Sequence, residues 1–330
     1  MNTVKRLVSE GVAIWLAVNS EALDAGHVRE LVTEGVSGLR LPPGSPWFAH
    51  DVQEACSALG PVHERTAGRD GLVSVPPGSW LPGDAGALVA AIRSVRREVD
   101  RPNLLVQIPA TEDALPAVTA CLAEGIGVEV TSICSTRRYG DVVDAFLLGM
   151  ERARSTGRDL SGIASVASFP LAAFDARIDG LLEKAGTAES KALRGRAGIS
   201  LARLAHQVRE EKFGTHRWAA LAAAGARPQR LLWEAAGAAG GPRVDTRYVE
   251  ELVTRGTVSA MPAATLRAVA EHSLIGGDRV RRHYRRAAQS LHYLKWVGIS
   301  PEAVARSLEE VGQSVSTGQR ARRVTASPVL

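Results

Sequence analysis

The chain has 330 residues, 45% of them hydrophobic and 23% charged, a balance that excludes a disordered or fibrous protein. Forty Lys and Arg against 35 Asp and Glu leave a net charge of +5, too mild an excess to define a nucleic-acid or membrane partner. Cys56, Cys121 and Cys134 are too few and too far apart for a disulfide framework or a C-x-x-C metal knuckle and point to a reducing cytoplasm, while no apolar run reaches the roughly 20 residues of a bilayer crossing.

Short β-branched, apolar runs predict strands at 11–18, 36–41, 71–75, 103–108, 127–133, 162–168, 228–233 and 257–261. Between them lie helical patterns, among them 84–99, 112–124, 136–154, 189–211, 246–253 and 263–272. Thr111, followed by Glu112 and Asp113, reads as a helix N-cap; Gly125 and Gly157 read as helix stops. Strand and helix alternate throughout, which predicts an α/β fold, a single (βα)8 TIM barrel. The expected organisation is a barrel over 1–277, C-terminal helices packed on it over 278–312, and a flexible tail over 313–330. The first of those helices carries Arg279, Arg281, Arg282, Arg285 and Arg286 with Tyr284, Tyr293 and Trp296, a pattern read as a solvated basic face.

In parallel barrels the chemistry sits at the carboxyl ends of the strands, and side chains alternate inward and outward along each strand. That parity nominates Ala17, Arg40, Pro42, Pro76, Leu105, Gln107, Glu129, Thr131 and Ser168 for the barrel mouth, with Trp80, Cys134, Trp233 and Glu234 on adjoining loops. Cys134 has no histidine near it in sequence to activate a thiolate. The eight histidines form no H-x-x-x-H pair, so no metal and no cofactor is expected.

The runs Asp100-Arg-Pro-Asn-Leu, Gln107-Ile-Pro-Ala-Thr111, Ala123-Glu-Gly-Ile126 and Ile163-Ala-Ser-Val-Ala-Ser-Phe169 resemble bacterial transaldolases of the long, actinobacterial type. So do Leu193-Arg-Gly-Arg-Ala197, Trp218-Ala-Ala-Leu221, Gly225-Ala-Arg227, Tyr248-Val-Glu-Glu-Leu252 and Met261-Pro262. The resemblance implies a barrel of the class I aldolase type. It also implies transfer of a dihydroxyacetone unit between sugar phosphates through a Schiff base on a strand-end lysine in an Ile-Lys-Ile-Pro-Ala-Thr motif. Here the corresponding run is Val106-Gln-Ile-Pro-Ala-Thr111, with Gln107 at the lysine's place. An amide nitrogen forms no imine, and Lys5, Lys184, Lys191, Lys212 and Lys295 fall outside the predicted strands. Set against the same resemblance, Ala17, Pro42, Pro76 and Glu129 replace polar or acidic family residues, while Ala173 and Ala235-Ala236 replace the arginine and the Ser-Thr pair that hold phosphate.

These departures lead to the expectation of a divergent homologue, a transaldolase-like protein without Schiff-base activity. Its expected work is non-covalent acid/base chemistry, a cyclisation, isomerisation or elimination, on a small, partly apolar metabolite of specialised biosynthesis. Glu129 is the expected proton-transfer residue. Arg40 and Gln107 orient the substrate, Thr131 and Ser168 add hydrogen bonds, and Trp80, Trp233 and Glu234 complete the binding set. The same Arg40 and Glu129 equally serve as an internal salt bridge filling volume, which gives the alternative of a silent binding or scaffold protein. Residual transaldolase activity is the third reading. The expected partner is a small molecule, with no nucleic acid and no membrane, and the expected state is a monomer or homodimer.

Overall fold

The computed structural model describes residues 3–18, 24–78, 83–235 and 246–316. Among these, eight parallel strands close in sequence order into one barrel: β1 (Ala13–Ala17), β2 (Gly38–Arg40), β3 (Leu72–Val75), β4 (Leu104–Pro109), β5 (Val128–Thr131), β6 (Ser165–Phe169), β7 (Arg230–Glu234) and β8 (Val258–Met261). Each falls within one residue of a predicted run, because strands buried on both faces read as short runs dominated by β-branched and apolar residues. Closure is made by β8 on β1, with Ala13 opposite Val258 and Leu16 opposite Met261.

The helices of the outer ring are α1 (Thr3–Ser9), α2 (Ala25–Glu34), α3 (Ala49–Arg65), α4 (Ala85–Val99), α5 (Leu115–Ala123), α6 (Thr136–Ser155), α7 (Leu171–Ala185), α8 (Ala188–Leu193), α9 (Ala197–Phe213), α10 (His216–Ala223), α11 (Arg247–Glu251) and α12 (Ala263–His272). Helix α4 shows the rule they follow. Leu88, Ile92, Val95 and Val99 recur at helical spacing and are buried against the sheet, and the Asp84 carboxylate accepts from the Ala87 N–H at 2.9 Å to cap the first turn. After the ring come a 3-10 turn at Arg281–His283, α13 (Tyr284–Trp296) and α14 (Pro301–Ser316).

Two details differ from the pattern expected of the sequence. Thr111 is not a helix cap: the chain makes a turn there, with Ala114 and Leu115 donating to the Thr111 carbonyl, and α5 starts at Leu115. The single helix expected over 189–211 is two helices. Gly195 breaks it with φ +64, a left-handed conformation glycine adopts without steric cost. Its N–H donates to the Asp179 carboxylate at 2.8 Å and Gly198 N–H to Asp175 at 2.8 Å, so side chains of α7 take the place of the lost helical bonds.

The barrel axis is filled by a small apolar cluster, Trp15, Leu72, Leu105, Val166, Leu232 and Val258, separate from the larger core between strands and helices. Leu105, expected at the mouth, belongs to this filling. The Trp15 indole lies flat against Gly38, where an added Cβ would come within 2.5 Å of its Nε1. Among the described residues, no helix is long and apolar enough to cross a membrane.

Candidate active site

Strand register brings the polar inward residues together at the carboxyl end of the barrel. Arg40 lies opposite Ser74, and Gln107 opposite Glu129, so β2 to β5 contribute one continuous polar wall. Thr131, Ser168 and Glu234 continue it on β5, β6 and β7.

Glu129 is the centre of the wall. It is fully buried, and its two carboxylate oxygens each accept a hydrogen bond, from Arg40 Nε at 2.5 Å and from the Ser74 hydroxyl at 2.5 Å. The other side of the guanidinium faces a second carboxylate: Arg40 Nη2 lies 3.0 Å from Glu234 Oε1, within ion-pair reach but not aligned for a hydrogen bond. Burial disfavours charge on Arg40, but Glu129 and Glu234 outweigh it and hold the guanidinium's pKa above its ordinary value. Burial pushes the Glu234 carboxyl above the usual carboxylate range, Arg40 pulls it back, and the Glu129 charge adds to the rise. About a quarter of the Glu234 side chain (26%) still reaches solvent, which makes it the member of the triad open to proton exchange.

Gln107 donates from Nε2 to the Leu41 carbonyl at 2.7 Å and approaches the Ser74 hydroxyl at 3.4 Å. The first of these bonds fixes which end of the amide is nitrogen. Its Oε1 has no hydrogen-bond partner among the described residues. Thr131 and Ser168 hydroxyls point to backbone carbonyls, of Ile108 at 3.5 Å and of Val130 at 3.4 Å.

The expected set is therefore assembled in part. Arg40, Gln107, Glu129, Thr131 and Ser168 share the barrel interior, and Glu234, expected on a loop, is the last residue of β7. Trp233 is elsewhere: the strand turns it outward into the shell between sheet and helices, where its ring lies 5.4 Å from Phe169. Trp80 and Ala236 lie outside the described residues, and of the tail expected over 313–330, 313–316 are the end of α14 while 317 onward lies outside the described residues. Cys134 is buried and its thiol is pushed well above its ordinary range, first by burial and then by Glu309 and Glu234, which removes it as a nucleophile.

Three contributors to the site and its rim escaped the sequence reading. Ser74 had a signal, since a lone polar residue between Val73 and Val75 must face the opposite side of the strand from them. Glu309 had none. It comes from α14, accepts from the Ser135 hydroxyl at 3.4 Å and from the Cys134 backbone N–H, and lies 3.6 Å from Arg138 Nε, so the C-terminal helix reaches the rim between β5 and α6. Trp47 is a further rim residue, donating from Nε1 to the Pro76 carbonyl at 3.0 Å.

A closed parallel barrel with a charged cluster at the carboxyl ends of its strands places the chain among the (βα)8 barrels, with the cluster where such barrels carry their sites. The sequence profile of the Transaldolase/Fructose-6-phosphate aldolase family matches residues 47–314. The chain is 48% identical to the transaldolase of Thermobifida fusca, over 87% of this chain and 77% of that protein. It is 46% identical to the transaldolase of Frankia alni, over 94% of this chain and 92% of the other, and 47% identical to that of an Arthrobacter species, over 93% and 92%. The chain belongs to the transaldolase family.

That similarity corrects the functional expectation drawn from single residues. A protein that had left the family's chemistry for cyclisation, isomerisation or elimination of an apolar metabolite, or that had become a silent scaffold, is contradicted by relatives that share nearly half of its residues over some nine tenths of its length and carry the name transaldolase. The expectation gave a few substituted positions more weight than the whole chain's agreement.

Proposed function

We propose that this chain catalyses ketol transfer of the transaldolase type at the carboxyl mouth of its barrel, moving a three-carbon unit from a keto-sugar phosphate to an aldehyde. The observation that carries the reading is the 46–48% identity to proteins named transaldolase over 87–94% of the chain. Three free, buried thiols suit the reducing cytoplasm in which such a sugar phosphate would be met.

The residues set how the transfer runs. Breaking the bond between C3 and C4 of a ketose sends its electron pair toward the C2 carbonyl, and something must hold the resulting negative charge. An imine does this where an amine is present. Here β4 offers the Gln107 amide, and all five lysines lie on helices α1, α7, α8, α9 and α13, so the finer part of the proposal is that the Arg40 guanidinium stabilises an enediolate instead. Glu234 takes the proton of the C4 hydroxyl as the bond breaks and returns it to the new alkoxide when the enediolate carbon attacks the acceptor aldehyde, which leaves protons and electrons balanced. Glu129 and Ser74 keep the guanidinium in place, and Gln107 Oε1 is free to accept from a substrate hydroxyl.

The test is an exchange assay with fructose 6-phosphate as donor and a four-carbon aldose phosphate as acceptor. Formation of a seven-carbon ketose phosphate is the expected result, and its absence with folded protein overturns the proposal. A borohydride quench with the donor alone reads the finer part: an unchanged protein mass is expected, and a trapped adduct would replace Arg40 by whichever lysine carries it.

A further inference from the structure

The opposite end of the barrel holds a second concave, charged site. Residues at the amino ends of β3, β6 and β7 and the turns beside them enclose a cavity of about 400 Å³, within the size range of small-molecule sites. Four guanidinium groups converge on it from separate segments: Arg69 before β3, Arg209 on α9, Arg227 before β7, and Arg230 opening β7. Its floor and wall are apolar, with Leu72, Ile163 and Val166.

The positive charge there is incompletely answered. Asp70 accepts from Arg230 Nη1 at 2.7 Å. Asp159 is the second carboxylate, held by the Ser161 backbone and hydroxyl at 2.9 and 2.8 Å and near Arg227. With Glu210 and Arg281, which also act on Arg209, five cations face three anions, an excess of two. Arg230 is 92% buried by its 8% exposure, and its Nε has no hydrogen-bond partner among the described residues. Burial first, and then the like charges of Arg69 and Arg209, disfavour its ionisation despite Asp70. A cluster of mutually repelling guanidinium groups around a hollow is unfavourable unless an anion completes it.

We propose that this amino-terminal cavity binds a small phosphomonoester, whose two negative charges match the local excess and whose organic body lies on the Leu72, Ile163 and Val166 wall. Guanidinium forks suit phosphate oxygens in bidentate geometry. Fused from the same barrel but facing away from Arg40 and Glu129, the cavity is a binding site additional to the reaction centre, and its existence does not depend on which reaction the mouth performs.

The probe is phenyl phosphate, titrated calorimetrically against the full chain, with inorganic phosphate and phenyl glucoside as comparisons. The expected order is phenyl phosphate tightest, inorganic phosphate weaker, and no heat from the neutral glucoside. Arg209→Gln with Arg227→Gln should weaken phenyl phosphate about tenfold or more, the scale of losing charge-assisted hydrogen bonds. Arg230 is left intact because it ties β7 to Asp70 and Thr257. Arg40→Met, whose substitution lies at the mouth, should leave the titration unchanged under conditions where its circular dichroism matches the parent chain. Retained affinity in the Arg209/Arg227 variant, with its circular dichroism unaltered, overturns the proposal. So does loss of binding in Arg40→Met with its circular dichroism unaltered, which would place the probe at the mouth.

Discussion

Arg40 and Glu129 have 3% and 0% of their surface exposed, so removing one partner strands the other in a medium that cannot solvate it. Arg40→Met should therefore cost about 3–5 kcal/mol of stability, read from urea denaturation. Adding Glu129→Gln removes the stranded charge, so the double variant should be more stable than the single one, the reverse of two independent losses. Exchange activity should vanish in both. A second buried group sets a pH limit on the fold. His206 is buried in α9 and faces Tyr284 Oη at 2.8 Å; Tyr284 donates its own proton to Glu210 at 2.7 Å, so Nδ1 carries the histidine's proton and the unpartnered Nε2 carries none. Burial lowers its pKa from 6.5 to about 4, against the pull of Glu210. Between those two values the unfolded chain binds the proton and the folded one does not, so stability falls as the pH drops from 6.5 toward 4. The full window is worth about 3 kcal/mol, and His206→Gln should flatten that part of the melting-temperature profile.

At the level of elements, helix α4 depends on its Asp84 cap for the first turn. Asp84→Ala should cost about 1 kcal/mol, visible as a lower urea midpoint with an unchanged slope. What could be read from the sequence at this level follows from physical range. The eight strands were legible because burial on both faces leaves a local signature, short runs rich in β-branched and apolar residues. The Arg40 to Glu129 contact was legible because parity and strand ends fix direction. The break at Gly195 was not, since it is stabilised by Asp179 and Asp175 from the preceding helix, and a helical pattern on either side of an arginine-rich link does not announce such partners. Trp233 was misassigned to the pocket for a related reason. Its position at the end of β7 resembles a mouth position, and only the parity shared with Leu231, another outward residue, separates it from Glu234.

The whole molecule is tied together by segments distant in sequence. Helix α14 reaches back through Glu309 to the backbone of Cys134 and the hydroxyl of Ser135, and Gly312 passes so close to Ser132 that a Cβ there would meet the serine Oγ at 2.5 Å. Truncation after Gly298 should uncover this rim, so that Cys134, 1% exposed in the full chain, becomes reactive to a thiol reagent at least about tenfold faster while Cys121 on α5 stays protected; equal rates would show that α14 shields nothing there. Trp15 packs with Leu72, Leu105, Val166, Leu232 and Val258 across the bore. That packing separates the Arg40 end of the bore from the Arg230 end by a layer of side chains. Strand β7 measures the distance between the two ends: five residues, roughly 13 Å long, with Arg230 at one tip and Glu234 at the other. A ligand held among the arginines would then not compete with a substrate at the opposite end.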